Sequence, residues 1–314
     1  MNRKILVVGA GLIGQEYARV LKKLNIEFDS ICRSKLSAEN FKCKTGLDCS
    51  YGGIESILDL QSKYSHVIVA SEIDKAFSII QFCISNGIKN ILAEKPGALN
   101  FEEILKIKST AEKFKSNVDI AYNRRYYESI IKLKEISELD GGIESCHFDF
   151  TEWSHEIIKL GKSDEILKNW FLLNSSHVVD AAFYLIGKPK EISCFQQGML
   201  SWHSPAVFTG AGISEKNVLF TYNSNWLSTG RWSIEVKTKK RALRLMPMEK
   251  LSEQKIGELS WNDIPLTNEH EIEFKHGFFK QIQAFILEKD NHIKSIDEQV
   301  LDIELYKKIL GINV

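Results

Sequence analysis

The chain is poor in the features that mark disordered, secreted, membrane-spanning or nucleic-acid-binding proteins. Only five of its 314 residues are proline, and there is no low-complexity stretch, which argues against long disordered linkers. Six cysteines are scattered over positions 32, 43, 49, 83, 146 and 194 with no C-x-x-C pair. That pattern speaks against a structural zinc or other metal site, and suggests reduced thiols in a cytoplasmic protein. Neither sign of charge is in excess: Lys+Arg and Asp+Glu each number 41. The densest basic cluster, Lys237-Thr238-Lys239-Lys240-Arg241, is short and reads as a solvated strand end or turn, so nucleic acid is not expected as a partner. No apolar run approaches the ~18 residues of a membrane span. The N-terminal apolar run is broken by glycine and followed by Gln15-Glu16, so it reads as a strand and helix rather than a secretion signal.

What is present begins with Lys4-Ile5-Leu6-Val7-Val8, a short buried strand, followed at once by Gly9-Ala10-Gly11-Leu12-Ile13-Gly14. Ile13, Tyr17, Val20, Leu21 and Leu24 then recur at helical spacing. G-x-G-x-x-G between a buried strand and an amphipathic helix is the dinucleotide fingerprint. Gly9 allows the tight turn, Gly11 admits a pyrophosphate close to backbone, and Gly14 lets helix and strand pack closely. The helix N-terminus offers free N–H groups and a partial positive charge to the phosphates.

The choice of dinucleotide is read about 20 residues on, at the end of the second strand. Residues 26–31 fit that strand, and it runs into Cys32-Arg33-Ser34-Lys35. An NAD enzyme usually places a carboxylate here for the ribose 2′-hydroxyl. Asp29 lies too early, whereas Arg33, with Ser34 beside it, suits a 2′-phosphate. NADP is therefore expected ahead of NAD.

Strands and helices alternate through the first ~120 residues, as a doubly wound parallel sheet requires. Expected strands cover 66–70, 90–93 and 117–122, and expected helices cover 53–60, 74–86 and 101–114. The pattern then changes. After a helix over 126–139, strand-like stretches cover 143–153, 190–195, 207–213, 217–225, 232–240 and 242–246, with a helix near 175–185 between the first two. Short polar turns between most of them suggest an antiparallel sheet. Helices over 276–287 and 297–310 close the chain. The expected fold is thus α/β: an N-terminal Rossmann domain, residues 1–121, then an α+β domain, residues 122–314, with a large, mostly antiparallel sheet.

Glu94-Lys95-Pro96 directly follows a buried strand. Ligands of open α/β sheets bind beyond the carboxyl ends of the strands, so Lys95 is expected near the nicotinamide position. At this point the chain resembles the Gfo/Idh/MocA oxidoreductases. The likeness rests on Gly9 to Gly14, Glu94-Lys95-Pro96, residues 122–126 (Tyr-Asn-Arg-Arg-Tyr) and residues 174–180 (Asn-Ser-Ser-His-Val-Val-Asp), in that order. Gly141-Gly142-Ile143 and Leu185-Ile186-Gly187-Lys188-Pro189 also sit where family members have similar residues. The resemblance implies NAD(P)-linked chemistry on a sugar, cyclitol or nucleotide-sugar derivative. It also implies that the second sheet is open-faced and that the chain self-associates through it, as a homodimer or homotetramer. Lys95 matches the family lysine that contacts the reacting hydroxyl, His177 matches the active-site histidine, and Asp180 the aspartate three residues later. The family often carries an aspartate four residues before the histidine. Here that place is Leu173, with Asn174 as its polar neighbour.

Oxidising a secondary alcohol needs a base for the hydroxyl proton as hydride leaves carbon. His177, with a reference pKa near ~6.5, can take that proton, and the Lys95 ammonium can stabilise the developing alkoxide. Asp180, about one helical turn on, and Asn174 are supporting residues. Asn123 is placed nearest to ligand, with Arg124 and Arg125 as braces. Leu12, Ile13, Ser71 and Glu94 complete the cofactor contacts with the three glycines, Arg33, Ser34 and Lys95. His203 and the tryptophans at 153, 170 and 232 could equally serve a sugar cleft or a core. Two other functions stay open: a reductase of an imine or tetrapyrrole double bond, and a non-catalytic dinucleotide-binding regulator, which the loss of a carboxylate at Leu173 would suit.

Overall fold

Apolar β-branched runs build the first sheet. In the computed structural model, which describes residues 4–267, 269–287 and 292–312, β1 (Ile5–Val8) pairs in parallel with β2 (Phe28–Cys32) on one side. On its other side lies β4 (His66–Val69), with the two-residue β3 (Ser50–Tyr51) beyond β2. β5 (Asn90–Glu94) and β6 (Asn117–Ala121) extend the sheet in parallel, and Lys294–Ser295 adds an antiparallel edge to β6. β1 and β4 are buried at every position, as a sheet covered on both faces demands. Helix Leu12–Lys23 packs Tyr17, Val20 and Leu21 into the core beside Ile5 and Val7. Phe278, Ile282 and Phe285 of helix Phe278–Leu287 join the same core.

The second sheet runs β14-β13-β12-β11-β7-β10-β9-β8, where β7 is Ser145–Asp149, β8 Pro189–Gln197, β9 Val207–Ser214, β10 Leu219–Asn225, β11 Ser233–Lys237, β12 Arg241–Leu245, β13 Leu251–Lys255 and β14 Asn262–Ile264. All its pairings are antiparallel except β7 with β10. Burial alternates along β9 and β10, so one face is covered and the other is not. On the covered face lies helix Ser176–Ile186, whose Phe183 meets Phe148 and Phe220 edge-on at centroid distances of 5.5 and 5.1 Å.

The α/β class and both sheets are as expected. Several local expectations give way. Residues 53–60 hold a short 3-10 turn, Ile54–Ser56, and only the first residue of helix Leu60–Lys63. The strand expected over 143–153 stops at Asp149, because residues 150–153 turn into a short helix, Ser154–Ile157. The run 232–246 is two strands, with the basic cluster at the turn between them, where Arg241 bonds Asp140 and Glu253. β13 and β14, which have little apolar alternation, escape sequence reading. The described residues fall into two compact units, one drawn from residues 4–123, 272–287 and 292–303, the other from 124–267, 269–271 and 304–312. The range 122–314 therefore contains a segment that rejoins the N-terminal sheet. No helix among the described residues is long and apolar enough to cross a membrane.

Candidate functional site

In the N-terminal unit the three glycines differ in what surrounds them. Gly9 has φ +127°, and a Cβ there would lie 2.3 Å from the Ala70 carbonyl oxygen. At Gly14 it would lie 2.0 Å from the Gly9 carbonyl oxygen. Gly11 has nothing within 4 Å and caps helix Leu12–Lys23 in extended backbone, with no side chain on the freed N–H groups. The crowded pair fixes turn and helix, and the open one leaves a cradle above the helix N-terminus. This is what a pyrophosphate requires, so these residues fit a dinucleotide. Leu12 is exposed and Ile13 half-buried at the first turn, and Ser71 lies just beyond β4.

β2 ends at Cys32, which puts Arg33 at its carboxyl end, where the nucleotide is discriminated. The Arg33 side chain is 75% exposed, with one long contact of 3.4 Å to Glu55. Ser34 spends its hydroxyl capping helix Lys35–Thr45 through the Ser37 N–H. Asp29, earlier on β2, is tied to Lys4 at 2.9 Å and to the Tyr64 hydroxyl at 2.7 Å.

Glu94 ends β5, and its carboxylate accepts a hydrogen bond from the Tyr17 hydroxyl, linking the strand end to helix Leu12–Lys23. Burial pushes both groups above their ordinary pKa. For Glu94 the Tyr17 hydrogen bond and the Lys95 and Lys275 charges pull the other way. The turn after Lys95 is held by the Gly97 N–H on the Glu94 carbonyl, 2.9 Å, and by Gln299 Nε2 on the Pro96 carbonyl, 3.1 Å. Lys95 thus leaves the strand from a braced turn. Asn123 is buried, and its Nδ2 donates to the His276 carbonyl at 3.0 Å.

The second unit gathers the remaining residues. His177 opens helix Ser176–Ile186, entered through a π-helical turn, Phe171–Ser175. Such turns are rare and cluster at functional sites. The His177 ring is 5% exposed and lies 6.2 Å, between centroids, from Trp232. Asp180 receives Arg125 in a two-pronged ion pair, Nε to Oδ2 at 2.9 Å and Nη2 to Oδ1 at 2.8 Å, with Arg125 also over Tyr184. This ion pair ties Arg125 to helix Ser176–Ile186 within one unit.

Leu173 is buried, and the carboxylate at this turn comes from elsewhere in the chain. Glu152, 1% exposed, accepts from Asn174 Nδ2 at 3.0 and 3.1 Å and from the Ser175 hydroxyl at 2.8 Å. Arg231 stands 3.7 Å away. Burial raises the Glu152 pKa, while the Ser175 hydroxyl, the Arg231 charge, and Asn174 and Trp170 favour its ionised form. Arg231 stacks on Trp153 and Trp232 at 4.8 and 4.7 Å, and Arg124 on Trp232 at 4.6 Å. Glu152 was missed in the sequence because it falls inside an expected strand. Arg231, next to Trp232, carries no motif. His203, by contrast, belongs to a core, its ring 4.6 Å from that of Trp226 and its Nδ1 bonded to the Pro205 carbonyl. Burial lowers its pKa.

Residues 3–122 match the family model described as "Oxidoreductase family, NAD-binding Rossmann fold", of the Gfo/Idh/MocA type. Compared by sequence with curated proteins, the chain has no significant match. Among solved structures it is similar in fold to an oxidoreductase from Agrobacterium radiobacter in complex with NAD+, L-tartaric acid and magnesium (12% identity, TM-score 0.77, covering 98% of this chain and 96% of that one). It is also similar to the dehydrogenase MviM from Clostridium difficile (18%, 0.76, 99% and 99%). A third is the WlbA dehydrogenase from Chromobactrium violaceum in complex with NADH and UDP-GlcNAcA (15%, 0.68, 99% and 93%). At these identities the structural likeness speaks for the fold, and the family model for the N-terminal sequence. What the comparisons establish is that residues 3–122 match the Gfo/Idh/MocA oxidoreductase family model with its NAD-binding Rossmann fold, and that the whole chain shares the fold of these dehydrogenases.

Proposed function

We propose that the protein is an NADP-preferring dehydrogenase or reductase that acts on the hydroxyl or keto carbon of a sugar, cyclitol or nucleotide-sugar derivative. The observation that carries this reading is the glycine cradle, where Gly9 and Gly14 admit no Cβ and Gly11 faces open space. The complexes of similar fold with NAD+ and tartaric acid, and with NADH and UDP-GlcNAcA, support a nicotinamide cofactor and a hydroxyl-bearing substrate, while the NADP preference rests on Arg33 at the end of β2. When bound, the nicotinamide supplies or accepts hydride. Gly11, Leu12, Ile13 and Gly14 would hold the pyrophosphate and Arg33 the 2′-phosphate. Lys95 hydrogen-bonds the substrate oxygen and stabilises negative charge on it. In oxidation His177 takes the hydroxyl proton as hydride leaves the same carbon, and in reduction it returns that proton to the carbonyl oxygen. Asn174 and Asp180 act from behind, by fixing Glu152 and Arg125 at either end of the first turns around His177.

With the native sugar substrate, His177→Ala and Lys95→Ala should each lower kcat by about 10²–10⁴ while leaving dinucleotide affinity within about threefold. Full activity in His177→Ala would point instead to reduction of an imine or tetrapyrrole double bond. Leu173 favours a second reading, a regulator that binds dinucleotide without turning over. Such a protein would show tight NADPH binding and no oxidation of it across sugars, cyclitols and nucleotide sugars. Arg33→Ala should weaken NADPH by about 10–100-fold and NADH by less than twofold, because one charge-assisted phosphate contact is worth about 1.5–3 kcal/mol. Calorimetric titration of both cofactors decides it, and equal losses for the two would remove Arg33 from the 2′-phosphate site. The uncovered sheet face carries Phe195 and Leu219, 67% and 63% exposed, which supports association into a homodimer or homotetramer. A monomer by light scattering at micromolar concentration would refute it.

A further inference from the structure

Arg124 is a guanidinium short of counter-charge. Its Nε is buried with no hydrogen-bond partner, and among the described residues no carboxylate reaches it at ion-pair distance. What it does touch is aromatic: Trp232 at 4.6 Å and Tyr127 at 5.7 Å. Burial lowers its pKa, and the neighbouring Arg231 charge lowers it further, while Tyr127, Glu249 and Glu152 act from a distance in its favour. Desolvating a cation is costly unless an anion or several acceptors compensate it. Cation–π contacts return only part of that cost.

Arg231 completes the arrangement. It too stacks on Trp232, is 40% exposed, and among the described residues has only the 3.7 Å approach of Glu152 as an ion pair. Nor is that carboxylate fully available, since Asn174 and Ser175 already occupy its oxygens. Two guanidinium groups thus share one indole, and the same indole lies 6.2 Å from the His177 ring. Arginine presents planar donors that match carboxylate and phosphate oxygens, and its stacking fixes the plane in which those donors point.

We propose that Arg124, Arg231 and Trp232 form a receptor for an anionic oxygen group of the substrate, a carboxylate or a phosphate, so that the substrate is an acidic sugar derivative rather than a neutral sugar. That the anion belongs to a substrate rests on the oxidoreductase reading above. That the platform binds an anion does not. Glu152 then has a second duty, holding Arg231 in place against Trp153 and Trp232 while the π-helical turn is fastened to the end of β7.

The test is a titration of the full-length protein with D-glucuronate, D-glucose 6-phosphate and D-glucose at constant ionic strength, with and without NADPH. It is followed by calorimetry and tryptophan fluorescence. At least one of the two anions should bind saturably and at least tenfold more tightly than glucose. Glucuronate as the better ligand assigns a sugar-acid carboxylate, and glucose 6-phosphate assigns a phosphate. Arg231→Met, at a half-exposed position, and Arg124→Lys, which keeps the charge and loses the planar fork, should each remove at least tenfold of that preference. Binding of both anions no better than glucose, or a preference unchanged in both variants, overturns the proposal. NADPH titrated into the same samples separates the two readings. Anion binding without dinucleotide binding removes the oxidoreductase reading alone, whereas dinucleotide binding without anion binding removes this inference alone.

Discussion

Asp180→Ala should cost about 3–5 kcal/mol of unfolding free energy, the usual penalty for removing one partner of a buried ion pair. Both side chains are almost fully enclosed, 7% exposed for Arg125 and 1% for Asp180, and the guanidinium fork meets the two carboxylate oxygens at 2.9 and 2.8 Å. Alanine would leave Arg125 enclosed without the carboxylate it was folded around. The double variant Arg125→Met with Asp180→Leu should recover most of the loss, since a packed apolar pair avoids desolvating two ions. Urea unfolding of the two single variants and the double variant measures all three. A single-variant loss under about 1 kcal/mol would show that solvent reaches the pair. Because Asp180 lies one turn beyond His177, the same loosening should lower turnover in Asp180→Ala beyond what its stability explains.

Gly14→Ala and Gly11→Ala should part company. At Gly14 the new methyl would lie 2.0 Å from a backbone carbonyl oxygen of the preceding turn, which cannot rotate aside. Helix Leu12–Lys23 must then move off β1. We expect a loss of about 1–3 kcal/mol in stability from overpacking, together with at least about 100-fold in dinucleotide affinity. At Gly11 nothing stands within 4 Å, so stability should change by less than about 0.5 kcal/mol. There the methyl occupies the space proposed for the pyrophosphate, and affinity alone should fall. Thermal melts with calorimetric NADPH titration of both variants check this. A Gly11→Ala protein that binds NADPH as well as the wild type would place the phosphates elsewhere.

The sequence alone determined whatever depends on neighbours along the chain. Strand β1, the three glycines and the amphipathic helix after them are one continuous stretch, and their spacing dictates both the turn and its empty cradle. Lys95 was placed by the same logic, at the end of a buried strand, and His177 by its place in the ordered set of family-like stretches. Short polar turns between the later strands announced an antiparallel sheet, and the burial pattern along β9 and β10 shows its one open face. Only the tertiary structure decided what meets across long separations. Glu152 takes up the turn at Leu173 from 22 residues away, and Arg125 finds Asp180 across 55. Lys294–Ser295 return to pair with β6 of the first sheet, far along the chain from it. The one parallel pair in the second sheet, β7 with β10, likewise has no local signal. Periodicity reports which face of an element is buried. Which charged group lies against that face is set by strand order and crossover, and these are properties of the whole chain's packing.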